Sequence, residues 1–230
     1  MTLAPAHPAP LWLIAAVILA GAAVGLLLDR RLAGAAYRLD DERNAPLRGG
    51  WLVRAVVPLV WGLLAWQLGG LSAGALLPAY LLLAVVGAAL FRIDLDVHRL
   101  PEGLTLPSIP AVALLLTVAS ATSGDWVALG RAVAAGLGVW LVYVVLALIV
   151  PGGLGLGDAT LGGLVSLPLG YLGWGLPVVG ILAAYLVSAA VALIGLATRR
   201  LHLRSDMAFG PYILLGALVA VFVQFQIVGV

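Results

Sequence analysis

The chain has 230 residues, 63% of them hydrophobic and 10% charged, with a formal net charge of +2 and no cysteine. A water-soluble domain carries about 25% charge, so the composition excludes a soluble enzyme and leaves a polytopic helical membrane protein. Without cysteine there is no disulfide, thiolate zinc site or cysteine nucleophile, and so small a charge gives no reason to expect a nucleic-acid partner.

A membrane span needs about 20 apolar residues. The first predicted span covers 11–28 and stops at Asp29-Arg30-Arg31. Its apolar run is longer than that of a secretory signal and no basic stretch precedes it, so it reads as a retained helix. Two spans fit within 51–91, with a hinge near Gly69-Gly70, and two more within 105–150, parted by Ser123-Gly124-Asp125-Trp126. Residues 159–198 supply another pair, joined near Gly170 to Gly175, and 211–230 the last. The fold class is therefore all-α, an integral membrane protein of about eight transmembrane helices, or seven if 159–172 is re-entrant. No repeat or linker divides it, so 1–230 reads as a single membrane-embedded domain with a polar loop at about 29–50.

All twelve basic side chains are arginine. With eight spans, Arg30, Arg31, Arg38, Arg43, Arg48, Arg54, Arg92, Arg99, Arg199, Arg200 and Arg204 fall on one side and Arg131 alone on the other. Basic residues stay cytoplasmic. That rule puts both termini outside the cytoplasm and brings Asp94 and Asp158 to the cytoplasmic face.

Those two acids are the chemical candidates, because an ionisable group at the edge of a membrane helix is expensive. Asp94 is expected just beyond the end of an apolar helix, before Pro101. Its bland reading is a loop acid neutralised by Arg92, Arg99 or His98. Asp96 would point away from Asp94 on a helix and reads as a solvent-facing or structural acid. Asp158 follows Gly153, Gly155 and Gly157, which permit close backbone packing. Directly before Ala159-Thr160-Leu161 it reads as a helix N-cap, which also favours an ionised carboxylate. On that basis Asp158 is expected to be the more acidic of the two, with Asp94 holding the proton. A third polar island, 204–212, reads on its own as a loop before a helix begun by Pro211. The three histidines are too scattered to form a metal site.

Taken together the three islands resemble one family. Ile93-Asp94 with Leu100-Pro101-Glu102 and Leu104-Thr105-Leu106-Pro107 is similar to the first motif of the bacterial type IV prepilin peptidases. Gly155-Leu156-Gly157-Asp158-Ala159-Thr160-Leu161 is similar to the second, the GxGD motif of this class of membrane aspartic protease. Phe209-Gly210-Pro211 with Leu214-Leu215-Gly216-Ala217 resembles a segment near the family's C-terminus, and Tyr37-Arg38-Leu39 matches part of its start. The likeness is to a short form lacking the family's tetracysteine domain. Glu102 stands where the family usually has Asp, and Thr160 where it has Lys.

The resemblance implies an aspartic endopeptidase of the inner (cytoplasmic) membrane with its active site facing the cytoplasm. It would remove the leader from type IV prepilin or pseudopilin precursors. Asp94 and Asp158 would be catalytic, with Pro101, Glu102, Gly155, Gly157, Phe209, Gly210 and Pro211 supporting substrate or motif, and no metal or cofactor. A small ion-coupled transporter is the rival from another class; it predicts carboxylates near the midplane and paired broken helices in two repeated halves. A noncatalytic pilus-assembly relative is the third reading.

Overall fold

In lipid every backbone polar group must be satisfied within the chain, so apolar runs fold as helices. The computed structural model describes residues 9–39, 42, 50–70, 74–149, 155–199 and 208–228, with side chains as far as 224. Among them are eight helices: α1 (Leu11–Ala33), α2 (Gly50–Leu68), α3 (Leu77–Val97), α4 (Glu102–Ser123), α5 (Trp126–Ile149), α6 (Leu156–Leu172), α7 (Gly175–Ala197) and α8 (Gly210–Val228). A single 3-10 turn, Gly74–Leu76, leads into α3. Six helices are long and apolar enough to cross a bilayer, namely α1, α2, α3 with its leading turn, α4, α5 and α7. The chain is a multi-pass helical membrane protein.

The centre of the bundle is α6. It packs against α3, α4, α5, α7 and α8, and twelve of its seventeen residues are buried, from Ala159 to Tyr171. At about 1.5 Å per residue it is shorter than the hydrocarbon layer. Sheathed in protein, it has no lipid thickness to match. The outer helices turn large apolar side chains such as Leu137, Leu148, Leu186 and Leu193 outward.

Small residues bring the helices close, as is usual where lipid supplies no hydrophobic drive between them. At the α5–α6 crossing, a Cβ on Gly136 would lie 3.2 Å from the Gly163 carbonyl, and one on Gly170 only 2.4 Å from Ala135 Cβ. At the α7–α8 crossing, a Cβ on Gly216 would lie 2.2 Å from the Gly180 carbonyl oxygen. The Arg131 guanidinium, near the start of α5, donates to the carbonyls of Gly170 (2.7 Å) and Tyr171 in the last turn of α6. That contact fixes the end of the bundle opposite Asp158.

Two helix ends differ from the sequence expectation. Helix α1 does not stop at Asp29 but runs to Ala33, carrying the acid inside. Asp29 is buried there because Arg92 of α3 (2.5 Å) and Arg54 of α2 (2.5 Å) both pair with it. Likewise α3 continues through Asp94 to Val97, ending where His98 takes a left-handed conformation, φ 51°. Asp94 is thus in the last turn of the helix rather than beyond it. Arg43, Arg48, Arg200, Arg204, Gly152 and Gly153 lie outside the described residues.

The Asp29 cluster makes an asymmetric expectation. Arg92 is almost wholly buried, whereas the Arg54 side chain is 57% exposed. Asp29→Ala leaves the Arg92 charge buried without its partner and is expected to cost about 3–5 kcal/mol. Arg54→Ala breaks a largely solvated pair and is expected to cost no more than about 1 kcal/mol. Denaturant titration of the purified protein in detergent checks both.

Candidate active site

The three motifs meet because α3 ends, and α6 and α8 begin, at the same end of the bundle. Between them lies a cleft of about 450 Å³ lined by Asp94, Asp158, Pro101, Glu102, Gly155, Gly157 and Phe209, among others. Both acids thus face the same space.

Asp94 is buried, and its Oδ2 accepts the Gly210 N–H at 2.9 Å. Gly210 is the first residue of α8, so this acid lies on a helix N-terminus, where exposed N–H groups and the helix dipole favour negative charge. Without a side chain at 210 the acid can approach this closely. A Cβ at Gly210 would lie 2.8 Å from Asp94 Oδ2 and 3.3 Å from a Leu100 methyl. Pro211, buried in the first turn of α8, costs no hydrogen bond there.

Asp158 is not the N-cap of α6. Gly155 holds that position, and Asp158, three residues on, reaches back so that its Oδ2 accepts the Gly155 N–H at 3.1 Å. This is the acidic half of a capping box whose other half glycine cannot supply. Gly157 lets the start of α6 tuck beneath the α3–α4 link, since a Cβ there would lie 3.0 Å from Leu100 Cβ. Both acids therefore take a backbone N–H at a helix N-terminus. The expected asymmetry, in which Asp158 alone enjoys that position, does not hold.

Of the three cations that the bland reading offers Asp94, the two arginines are engaged elsewhere. Arg92 pairs with Asp29, and Arg99 pairs with Glu42 at 2.6 Å. Among the described residues neither Asp94 nor Asp158 has an ion pair. His98 and Arg99 do line the cleft.

Asp96 is structural, not solvent-facing. Its side chain is buried and accepts the Tyr37 hydroxyl at 2.8 Å, with a two-pronged contact from Arg38, Nε at 2.8 Å and Nη2 at 2.6 Å. Arg38 also reaches the Glu42 carbonyl at 3.2 Å. These bonds dock the segment after α1 onto the end of α3, and Tyr37 itself lines the cleft. Burial first, and the hydrogen bond to Asp96 second, hold the Tyr37 phenol above its ordinary pKa, so it remains a donor at physiological pH.

Sequence reasoning put no site role on Tyr37, Leu100 or His98. The Tyr37-Arg38-Leu39 match was the available signal for the first. For Leu100 the signal was its place in Leu100-Pro101-Glu102, but its part, filling the gap that Gly157 and Gly210 leave, emerges only from the packing. Thr160 spends its hydroxyl on the Leu156 carbonyl at 3.0 Å within α6.

Comparison with models of protein families, with curated proteins and with solved structures finds no match.

The docked segment can be released selectively. Arg38→Ala leaves the Asp96 carboxylate without its strongest partner, and such a loss costs about 3–5 kcal/mol when the pair is buried. Residues 34–39 are expected to become protease-sensitive and to exchange amide hydrogens faster, while the α5–α6 core keeps its protection. Limited proteolysis and hydrogen exchange check this.

Proposed function

We propose that this protein is a membrane aspartic endopeptidase that removes the leader from type IV pilin-like precursors at the cytoplasmic face. The observation that carries the reading is a pair of carboxylates lining one cleft, with Arg92 and Arg99 committed elsewhere. An acid neutralised by arginine cannot share a proton with a second acid; two unpaired ones facing one space tend to do so.

In the proposed reaction one carboxylate takes a proton from water, whose oxygen adds to the scissile carbonyl carbon. The protonated partner gives its proton to the carbonyl oxygen. Collapse of the tetrahedral intermediate breaks the C–N bond, and a proton passes to the departing amine. The pair titrates as one unit, so neither acid owns the proton. Because both sit at helix ends rather than mid-helix, peptide hydrolysis at the membrane surface fits better than ion passage through it. Eight spans, with α6 and α8 completing the set, accord with the orientation inferred from arginine. In that orientation the cleft faces the cytoplasm and Arg131 the other side.

The test is co-expression with pilin-like precursors of the same genome, reading leader removal on a gel. Asp94→Asn and Asp158→Asn are each expected to abolish cleavage while still inserting in the membrane. Asp125→Asn, at the cap of α5 on the opposite end, is expected to cleave as wild type does. Gly210→Ala displaces Asp94 and is expected to cost about 100-fold in rate, the scale of a 1 Å misplacement. The pH profile of kcat/KM is expected to show two ionisations belonging to the pair. Cleavage that survives loss of either acid would sink the mechanism. An absence of cleavage with every precursor would leave carrier or assembly roles.

A further inference from the structure

The last turn of α3 is held from two sides. Asp94 and Asp96 stand two residues apart, about 200° around an α-helix, so their side chains leave it in nearly opposite directions. On one side Asp94 Oδ2 accepts the Gly210 N–H of α8 at 2.9 Å. On the other, Asp96 Oδ2 accepts the Tyr37 hydroxyl and the Arg38 Nε, each at 2.8 Å. The final turn of a helix ordinarily frays, because its carbonyls lack intrahelical partners.

The chain after α1 forms a strap that reaches this turn. Ala35 is left-handed, φ 50°, and the Arg38 N–H closes a tight turn onto the Ala35 carbonyl at 3.0 Å. At Arg99 the strap is stitched to the α3–α4 link again. Glu42 Oε2 accepts Arg99 Nη2 at 2.6 Å and the Leu39 N–H at 2.9 Å. Every residue from Val97 to Glu102 lines the cleft, and so does Tyr37. This wall of the cleft is therefore fastened to the strap at both 96 and 99.

The two contacts to Asp96 differ in kind. Arg38 brings charge and a second nitrogen, Nη2 at 2.6 Å, and suffices to dock the strap. Tyr37 adds a neutral hydrogen bond from within the cleft lining. We propose that Tyr37 is a positioning residue: its hydroxyl, by holding Asp96, fixes the last turn of α3 and so the place from which Asp94 faces Asp158. The inference rests on the peptidase reading and adds a residue to its machinery. Asp158 takes its orientation from the backbone at the start of its own helix, but Asp94 stands next to a helix end. Any looseness in that turn passes straight into the spacing of the two acids, on which their sharing of a proton depends.

Tyr37→Phe removes the hydroxyl and leaves both the ring and the Arg38–Asp96 ion pair. Hydrogen exchange of the purified protein in detergent is expected to show residues 34–39 as docked as in wild type. Amides 95–98, at the end of α3, are expected to exchange about tenfold faster, the scale of one lost hydrogen bond. With a precursor that wild type cleaves, kcat is expected to fall about tenfold at little-changed KM, as for an interaction felt in the transition state alone. The two ionisations in the pH profile of kcat/KM are expected to draw together, since a looser pair couples more weakly. His98, Arg99 and Glu102, the other titratable or charged groups lining the cleft, are unchanged by the substitution.

Wild-type kinetics in Tyr37→Phe would overturn the assignment and leave the peptidase reading standing. So would unmoved ionisations or unmoved α3 amides beside a lower kcat, which mark only a smaller share of active enzyme. If wild type cleaves no precursor, the peptidase reading falls and the Tyr37 role falls with it.

Discussion

Charge inside a bilayer has to be paired or neutral, and this constraint organises the end of the bundle where α1, α2 and α3 meet. Asp29 draws Arg92 and Arg54 toward α1, while Asp96 draws Arg38 and Tyr37 toward α3. Glu42 takes Arg99. Each of these acids keeps a cation away from Asp94, which sits two residues from both Arg92 and Asp96. The ion pairs do little to hold the helices together compared with close packing. Their effect is to leave Asp94 without an arginine partner among the described residues, its carboxylate accepting a backbone N–H instead. An ordinary loop acid would have collapsed onto the nearest guanidinium.

The second organising fact is the burial of α6. A helix carrying a reactive group at its N-terminus is best held by rigid neighbours on every side. Gly136, Gly163 and Gly170 let α5 approach closely, and Arg131 ties down the far end. Asp158 is then fixed by its own bond to the Gly155 N–H. Its orientation depends on local backbone, whereas that of Asp94 depends on a helix distant in sequence. The two acids arrive at one cleft by different structural routes.

Much of this was legible in the residues. Hydropathy located the helices, Ser123-Gly124-Asp125 marked the α4–α5 turn, and the motifs named both acids. What could not be read was partnership. Nothing local in the sequence says that Asp29 is a buried acid awaiting Arg92, because the two lie 63 positions apart. So α1 was expected to stop at its first charge, whereas tertiary pairing carries it a further turn. The Asp158 error was of another kind: an acid after glycines suits N-cap and N3 equally, and only backbone geometry separates them. Gly210 could be matched to a motif, but its reason for being glycine emerges only when Asp94 Oδ2 is seen where a methyl group would go.

That contact also imposes an order of events on the newly made chain. Gly210 follows Asp94 by 116 positions, so α4 to α7 must all be synthesised before the donor for this acid exists. Until α8 joins the bundle, the Asp94 carboxylate of α3 lacks its hydrogen-bond partner, and Phe209 is absent from the cleft. A half-inserted chain therefore has Asp94 and Asp158 but not the arrangement that joins them. The arrival of the eighth helix both completes the bundle and finishes the cleft, so the two acids share that space only once the whole bundle has formed.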